Sequence, residues 1–210
     1  MIYLIITTCI INRYGIINND IRKDRYLYSI TTTLKYLPTN ITPIIVENNG
    51  TRETYLDHFT HNDKAVTVIY TDNNKKVFKN KAVNELLDIK DVIHELEMND
   101  TDIIIKLTGR YCALSPLFFQ TVIDHQNSYD AFIKYYNVST SSFEQYDSVL
   151  GCYAIRCNYI NLWNSISLDT NISPEINFAR FSRSTIMRIK EIDTLDVECS
   201  FADNHTVMCV

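Results

Sequence analysis

The sequence predicts a mixed α/β fold, with a central, mostly parallel sheet flanked by helices on both faces. Three observations predict it. Short apolar, β-branched runs recur along the chain, as strands buried on both faces require. Between them lie segments whose apolar residues repeat at spacings of three and four, the period of an amphipathic helix. The connections are short and polar, which suits strands joined by right-handed crossovers that put helices on either side of the sheet.

Tyr3 to Cys9 (YLIITTC) reads as the first strand. Leu27, Ile30, Leu34 and Leu37 then mark a helix over Arg22 to Leu37, which Pro38 stops. Pro43 to Glu47 (PIIVE) is a strand running into Asn48-Asn49-Gly50, a sequence suited to a sharp turn. Val66 to Tyr70 (VTVIY) repeats that arrangement and meets Thr71-Asp72-Asn73-Asn74. A long helix follows over Val77 to Glu97, with Ala82, Leu86, Ile89, Ile93 and Leu96 as its apolar stripe. Asp102 to Tyr111 (DIIIKLTGRY) is a central strand with a polar tail, and Asp130 to Tyr136 and Gly151 to Arg156 are two more strands. Helices are expected at Tyr159 to Ile166 and Pro174 to Met187, and a last strand at Leu195 to Phe201.

The 210 residues suit one domain around one core, spanning 1–210. A net charge of -5 argues against extended binding of nucleic acid, which needs clustered Lys and Arg to displace counterions. The apolar start, Met1 to Ile11, is too short to span a membrane and carries no cleavage pattern, so it reads as a buried strand. The six cysteines form no CxxC pair, which points away from zinc and disulfide frameworks and toward a reducing, cytoplasmic setting.

Ligands of open α/β sheets bind beyond the carboxyl ends of the strands. Four polar groups follow strand ends here: Thr7-Thr8 with Arg13, Glu47 to Gly50, Thr71 to Asn74, and Thr108-Gly109-Arg110-Tyr111. Their amides and hydroxyls can read a base and ribose, which need donors and acceptors together, although each group taken singly is also ordinary turn chemistry. Asn80, Lys81 and Asn84 fall in the first turns of the long helix, where a Lys near the positive end of the dipole can hold a diphosphate. The same segment also reads as a solvated face with a Lys81 to Glu85 pair.

In order, the phrases IITTCI, IVENNG, NKAVNELLDI, DIIIKLTGRY, YDAFIK and GCYAIR resemble the GT-A-type glycosyltransferase domains of large DNA viruses of algae and protists, and of some bacterial surface-polysaccharide loci. KLTGRY is the sharpest of them, and the resemblance spans about Tyr3 to Arg156. It implies a glycosyltransferase with a nucleotide-sugar cleft, a UDP-sugar donor and a glycan or glycoprotein acceptor. On that reading the part up to about residue 111 is the nucleotide side and the remainder the acceptor side. Thr7, Thr8, Asn48 and Asp72 would contact the nucleoside, and Asn80, Lys81 and Asn84 the ribose and phosphates.

Such enzymes commonly carry Asp-Xaa-Asp after the central strand, where carboxylates and diphosphate share Mn²⁺ or Mg²⁺. This chain has Thr108-Gly109-Arg110 there. Either Arg110 supplies the positive charge, or a metal is held by other groups, with Asp72 and His205 as contributors; the association of related domains with UDP and Mn²⁺ favours the metal. Asp147 and Glu175 are the candidate bases for an acceptor hydroxyl, each doubling as an ordinary turn or first-turn acid. Tyr111, Tyr135, Tyr136 and Tyr153 are the aromatics expected nearest the cleft.

Two rivals remain. A sugar-1-phosphate nucleotidyltransferase would place a glycine-rich loop after the first strand, and Cys9 to Tyr14 holds no glycine. A transferase-derived module that binds carbohydrate or protein without turnover is kept open by the missing Asp-Xaa-Asp.

Overall fold

The computed structural model describes residues 1–11, 18–135, 147–164, 169–200 and 206–210. Its strands are Ile2–Thr8 (β1), Thr42–Glu47 (β2), Thr60–His61 (β3), Lys64–Ala65 (β4), Thr67–Tyr70 (β5), Ile103–Thr108 (β6), Cys112–Ala113 (β7), Ala131–Ile133 (β8), Cys152–Arg156 (β9), Ile189–Glu191 (β10), Val197–Ser200 (β11) and Val207–Cys209 (β12). The helices are Asn19–Tyr36 (α1), Ala82–Glu95 (α2), Leu117–His125 (α3), Cys157–Leu162 (α4) and Pro174–Ser184 (α5).

Seven strands form the main sheet in the order β10-β8-β9-β6-β1-β2-β5. Neighbours run parallel except at β9, which is antiparallel to both β6 and β8. This is the expected mixed, mostly parallel sheet with helices on both faces. A small sheet, β12-β11-β7, and the β3-β4 hairpin stand beside it.

The alternation of side chains along each strand divides the interior in two. Ile2, Leu4 and Ile6 of β1 and Ile103, Ile105 and Leu107 of β6 pack with α1 and α3, through Tyr26, Ile30, Phe118 and Val122. Tyr3 and Ile5, with Ile104, face the other way, onto Val83, Leu86 and Ile89 of α2, Ile160 of α4 and Phe178 of α5. Leu4 and Ile5 are both fully buried, each contributing about 1.5–3 kcal/mol of transfer free energy. The same alternation puts Lys106 of β6 on the α2 face, where a buried ammonium demands a partner.

Several segments differ from the sequence pattern, among them three helices. Helix α1 starts at Asn19, before Arg22, because the Asn18 side chain accepts from the Asp20 and Ile21 amides at 3.0 and 3.2 Å. The long helix starts at Ala82 and not Val77: residues 73–75 form a 3₁₀ turn, and the Asn80 side chain accepts from the Ala82 amide at 3.1 Å. Helix α3 was not expected, since its Leu-Phe-Phe start lacks a helical period. Among the described residues no helix is long and apolar enough to cross a membrane.

Candidate functional site

The carboxyl ends of β1, β2 and β6 meet at one rim. Close approach of backbone makes this possible: the Gly109 amide donates to the Thr7 carbonyl at 2.8 Å, and the Asn48 amide to that of Thr8 at 3.4 Å. A Cβ on Gly109 would lie 2.8 Å from both the Thr7 carbonyl oxygen and the Thr8 methyl, so only glycine fits there. A small hollow, partly open to solvent, lies beyond this rim. Thr7, Thr8 and Asn48 form one wall, Thr108 and Arg110 a second, and Lys81, Asn84 and Glu85 a third. A neighbouring depression shares Lys81, Glu85, Thr108 and Arg110 and continues past Asn80 and Tyr111 to Glu175.

Most of the candidate residues therefore converge. Thr7, Thr8, Asn48, Asn80, Lys81, Asn84, Thr108 and Arg110 line the two connected hollows, Gly109 holds their rim, and Glu175 sits at the far end. Asn80 and Lys81 lie before α2 and not in its first turns, and the Asn80 side chain accepts from the Ala82 amide at the helix start. Asn84 turns its amide to the Asn73 and Lys76 carbonyls, so part of its role is to hold the loop after β5. Asp72 does not line the cavity: its side chain is 63% exposed and faces Lys75 at 3.4 Å. Asp147 is buried, accepts the Ser148 amide at 2.8 Å, and lines neither hollow. Tyr111 lines the outer hollow, its ring lying where a side chain on Gly151 would be. Tyr135 and Tyr153 are core residues, Tyr135 bonding Ser182 and Tyr153 packing on Phe178. Arg13, Tyr136 and His205 lie outside the described residues.

Several site residues escape a reading of the sequence. Arg22 and Tyr26, one turn apart on α1, line the inner cavity with Cys9. The Arg22 guanidinium donates to the Cys9 carbonyl at 3.0 and 2.7 Å and to the Tyr26 hydroxyl at 2.6 Å. Burial pushes the Cys9 thiol up to about 12, which keeps it neutral and unreactive. Glu85 pairs with Lys106 at 2.9 Å and not with Lys81. Burial opposes its charge, but Lys106, Arg110 and Lys81 together hold its carboxyl below the usual range. Asp88 of α2 accepts from Asn48, Thr71 and Asn73 at 2.6–2.9 Å, binding the loops after β2 and β5 to that helix. Burial raises its carboxyl to about 6 against those bonds. Three buried polar atoms on the inner cavity have no hydrogen-bond partner among the described residues: Thr7 Oγ1, Asn48 Oδ1 and Arg22 Nη1.

No family pattern matches the sequence, and no curated protein does. Solved structures do match in shape. A protein described as a nucleotide-diphospho-sugar transferase from Desulfovibrio desulfuricans superposes with a TM-score of 0.58 at 8% identity, over 91% of this chain and 79% of the other. The fold is that of the nucleotide-sugar transferases. A protein described as a glucose-1-phosphate thymidylyltransferase from Bacillus anthracis gives 0.56 at 12% identity, over 92% of this chain and 87% of the other. A mannosyltransferase from Pyrobaculum calidifontis, solved with GDP-Man and Mn²⁺, gives 0.54 at 8% identity over 91% of this chain, which spans 54% of that longer protein. Nucleotide-sugar transferases and nucleotidyltransferases thus share this fold.

A divalent ion in a nucleotide-sugar transferase fold needs hard oxygen ligands, chiefly carboxylates. Among the described residues no group of three or more His, Cys, Asp or Glu stands close enough to hold one. The two carboxylates on the hollows are engaged elsewhere, Glu85 with Lys106 and Glu175 with the Ser173 hydroxyl. The described residues do not fit a metal centre, and the expected contribution of Asp72 is not met by its position.

Proposed function

We propose that the chain is a glycosyltransferase that moves a sugar from a nucleotide-sugar donor, a UDP-sugar, to a hydroxyl of a glycan or glycoprotein acceptor. The observation that carries this reading is the convergence of Thr7, Thr8, Asn48, Lys81, Thr108 and Arg110, from three strand ends and a helix start, on one cavity. Thr7 Oγ1 and Asn48 Oδ1, buried and without partners among the described residues, supply the donor and acceptor that a nucleoside would satisfy. The cationic wall formed by Lys81 and Arg110 suits the diphosphate.

In transfer the bond between the anomeric carbon and the diphosphate oxygen breaks, and its electron pair leaves on that oxygen. The acceptor hydroxyl oxygen bonds the anomeric carbon and gives its proton to a base. Glu175 is the base we assign. It lines the outer hollow, and burial raises its pKa, which suits a group that must take a proton. Residues 1–210 act as one transferase domain on this reading, with the nucleotide held by the part up to about 111. The narrower kinship with viral and polysaccharide-locus domains rests on the ordered sequence phrases alone.

Nucleotidyl transfer is the second reading, favoured by the thymidylyltransferase fold match and opposed by the absence of glycine between Cys9 and Tyr14. Thermal melting across a panel of nucleotide sugars, followed by product analysis, separates the possibilities. A UDP-sugar is expected to raise the melting temperature and to be hydrolysed slowly, and Arg110→Ala and Lys81→Ala are each expected to weaken this without unfolding the chain. Formation of a nucleotide sugar from a nucleoside triphosphate and a sugar phosphate would transfer the assignment to the second reading. Binding without turnover would identify a non-catalytic module, and no shift with any nucleotide sugar would refute the proposal.

A further inference from the structure

Arg22, Lys81 and Arg110 line the inner cavity, and among the described residues none of the three forms an ion pair. Arg22 is 3% exposed, and its partners among the described residues are the Cys9 carbonyl and the Tyr26 hydroxyl, both neutral; its Nη1 has none. Among the described residues the Lys81 ammonium has no hydrogen bond or ion pair, and Arg110 donates to the Ser200 carbonyl. Burial, then Arg110, pushes the Lys81 ammonium below its ordinary value against the opposing charge of Glu85, with Arg22 adding to the effect, as expected of like charges held close together. The nearest acid on the same wall, Glu85, is already compensated by Lys106.

Holding unpaired guanidinium and ammonium groups together in a partly dry cavity is unfavourable unless an anion completes them. The chain as a whole is acidic, with net charge -5, so this concentration of positive charge is local to the site. A divalent cation brought beside it would be repelled by all three groups, and among the described residues no group of three His, Cys, Asp or Glu stands ready to hold it. A diphosphate carries the complementary charge and enough oxygen acceptors for Arg22 Nη1, the Arg110 fork and Lys81 at once.

We infer that Arg22, Lys81 and Arg110 form a diphosphate-binding triad that neutralises a nucleoside diphosphate without a divalent metal. Arg22, which no sequence motif marks, is its buried member. This rests on the nucleotide-sugar reading of the cleft and adds the means by which the diphosphate is held.

The test is calorimetric titration of the full chain with UDP and GDP, once in EDTA and once in Mn²⁺, with inorganic pyrophosphate as a base-free probe. Binding in EDTA is expected to match that in Mn²⁺, and Arg22→Gln, which keeps a donor for the Cys9 carbonyl, is expected to weaken it by about tenfold or more. Lys81→Gln, whose side chain leaves no bond behind, is expected to weaken diphosphate binding as well, so the proposal stays testable even if Arg22→Gln melts early. Binding that appears only with Mn²⁺, or that is indifferent to both substitutions in folded protein, would overturn the triad and leave the nucleotide-sugar reading standing. Failure of both nucleotides to bind in either condition would bring down the two together.

Discussion

Glu47 offers a measurable link between burial and pH. It ends β2, is fully buried, and its Oε1 accepts the Ile10 amide at 3.0 Å while Oε2 has no hydrogen-bond partner among the described residues. Burial raises its pKa from 4.5 to about 7, against the Ile10 bond that favours the charged form. A shift of that size corresponds to about 3 kcal/mol in favour of the neutral acid. An acid whose folded pKa lies above its unfolded value lends stability while it is protonated. That contribution is therefore fully present below pH 4.5 and is lost as the pH rises to about 7. Glu47→Gln fixes the neutral state and keeps the acceptor for Ile10. Urea unfolding of both proteins at about pH 4.5 and about pH 8 isolates the effect, because every other titrating group is shared and cancels. The variant is expected to gain about 3 kcal/mol on the wild type between the two pH values, with unchanged m. A stability difference that stays constant to within about 0.5 kcal/mol would refute the argument that this carboxyl is folded in its neutral form.

Gly109→Ala forces a methyl against the Thr7 carbonyl and the Thr8 side chain, and neither backbone can move without opening β1 from β6. A loss of about 1–3 kcal/mol in chemical denaturation is expected, together with weakened nucleotide affinity in the protein that remains folded. Asp130 is bridged by Arg188 and Arg156 at 2.9 and 3.0 Å, and hydrogen bonding from Arg188 first, then from Arg156, holds its carboxyl well below the usual range. Its stabilisation is present above the unfolded value near 4 and fades as the pH falls toward the folded one. Asp130→Asn is thus expected to be less stable than wild type at neutral pH, with the gap closing below about pH 4 in acid unfolding curves.

The sheet was readable because its strands are apolar on both faces, so runs such as YLIITTC and DIIIK stand out whatever their register. The site was readable only where it followed those runs. Arg22 and Tyr26 lie on the buried side of α1, but the obvious stripe of Leu27, Ile30 and Leu34 points attention to a rotated face, on which Leu27 and Leu34 are only partly buried. A polar residue one turn before a tyrosine is the one available signal, and it is common on solvated helices. Lys106 inside an apolar strand was a clearer sign, since a buried ammonium requires an acid, yet the sequence could not say which helix would supply it. The start of α2 was misplaced because Val77 and Phe78 extend the apolar period; Val77 is in fact 73% exposed. Asp72 followed a strand end as Asn48 does, but the 3₁₀ turn after it directs its side chain outward.

Asp88 joins what a sequence alignment would treat as separate modules. By clasping Asn48, Thr71 and Asn73 from a helix whose start adjoins Lys81, it ties the Asn48 wall of the cavity to the Lys81 wall. Mutational drift in that helix cannot retune one wall and spare the other. Thr7 stands outside the clasp, its hydroxyl engaged by no described neighbour, so a change there alters the cavity without disturbing Asp88.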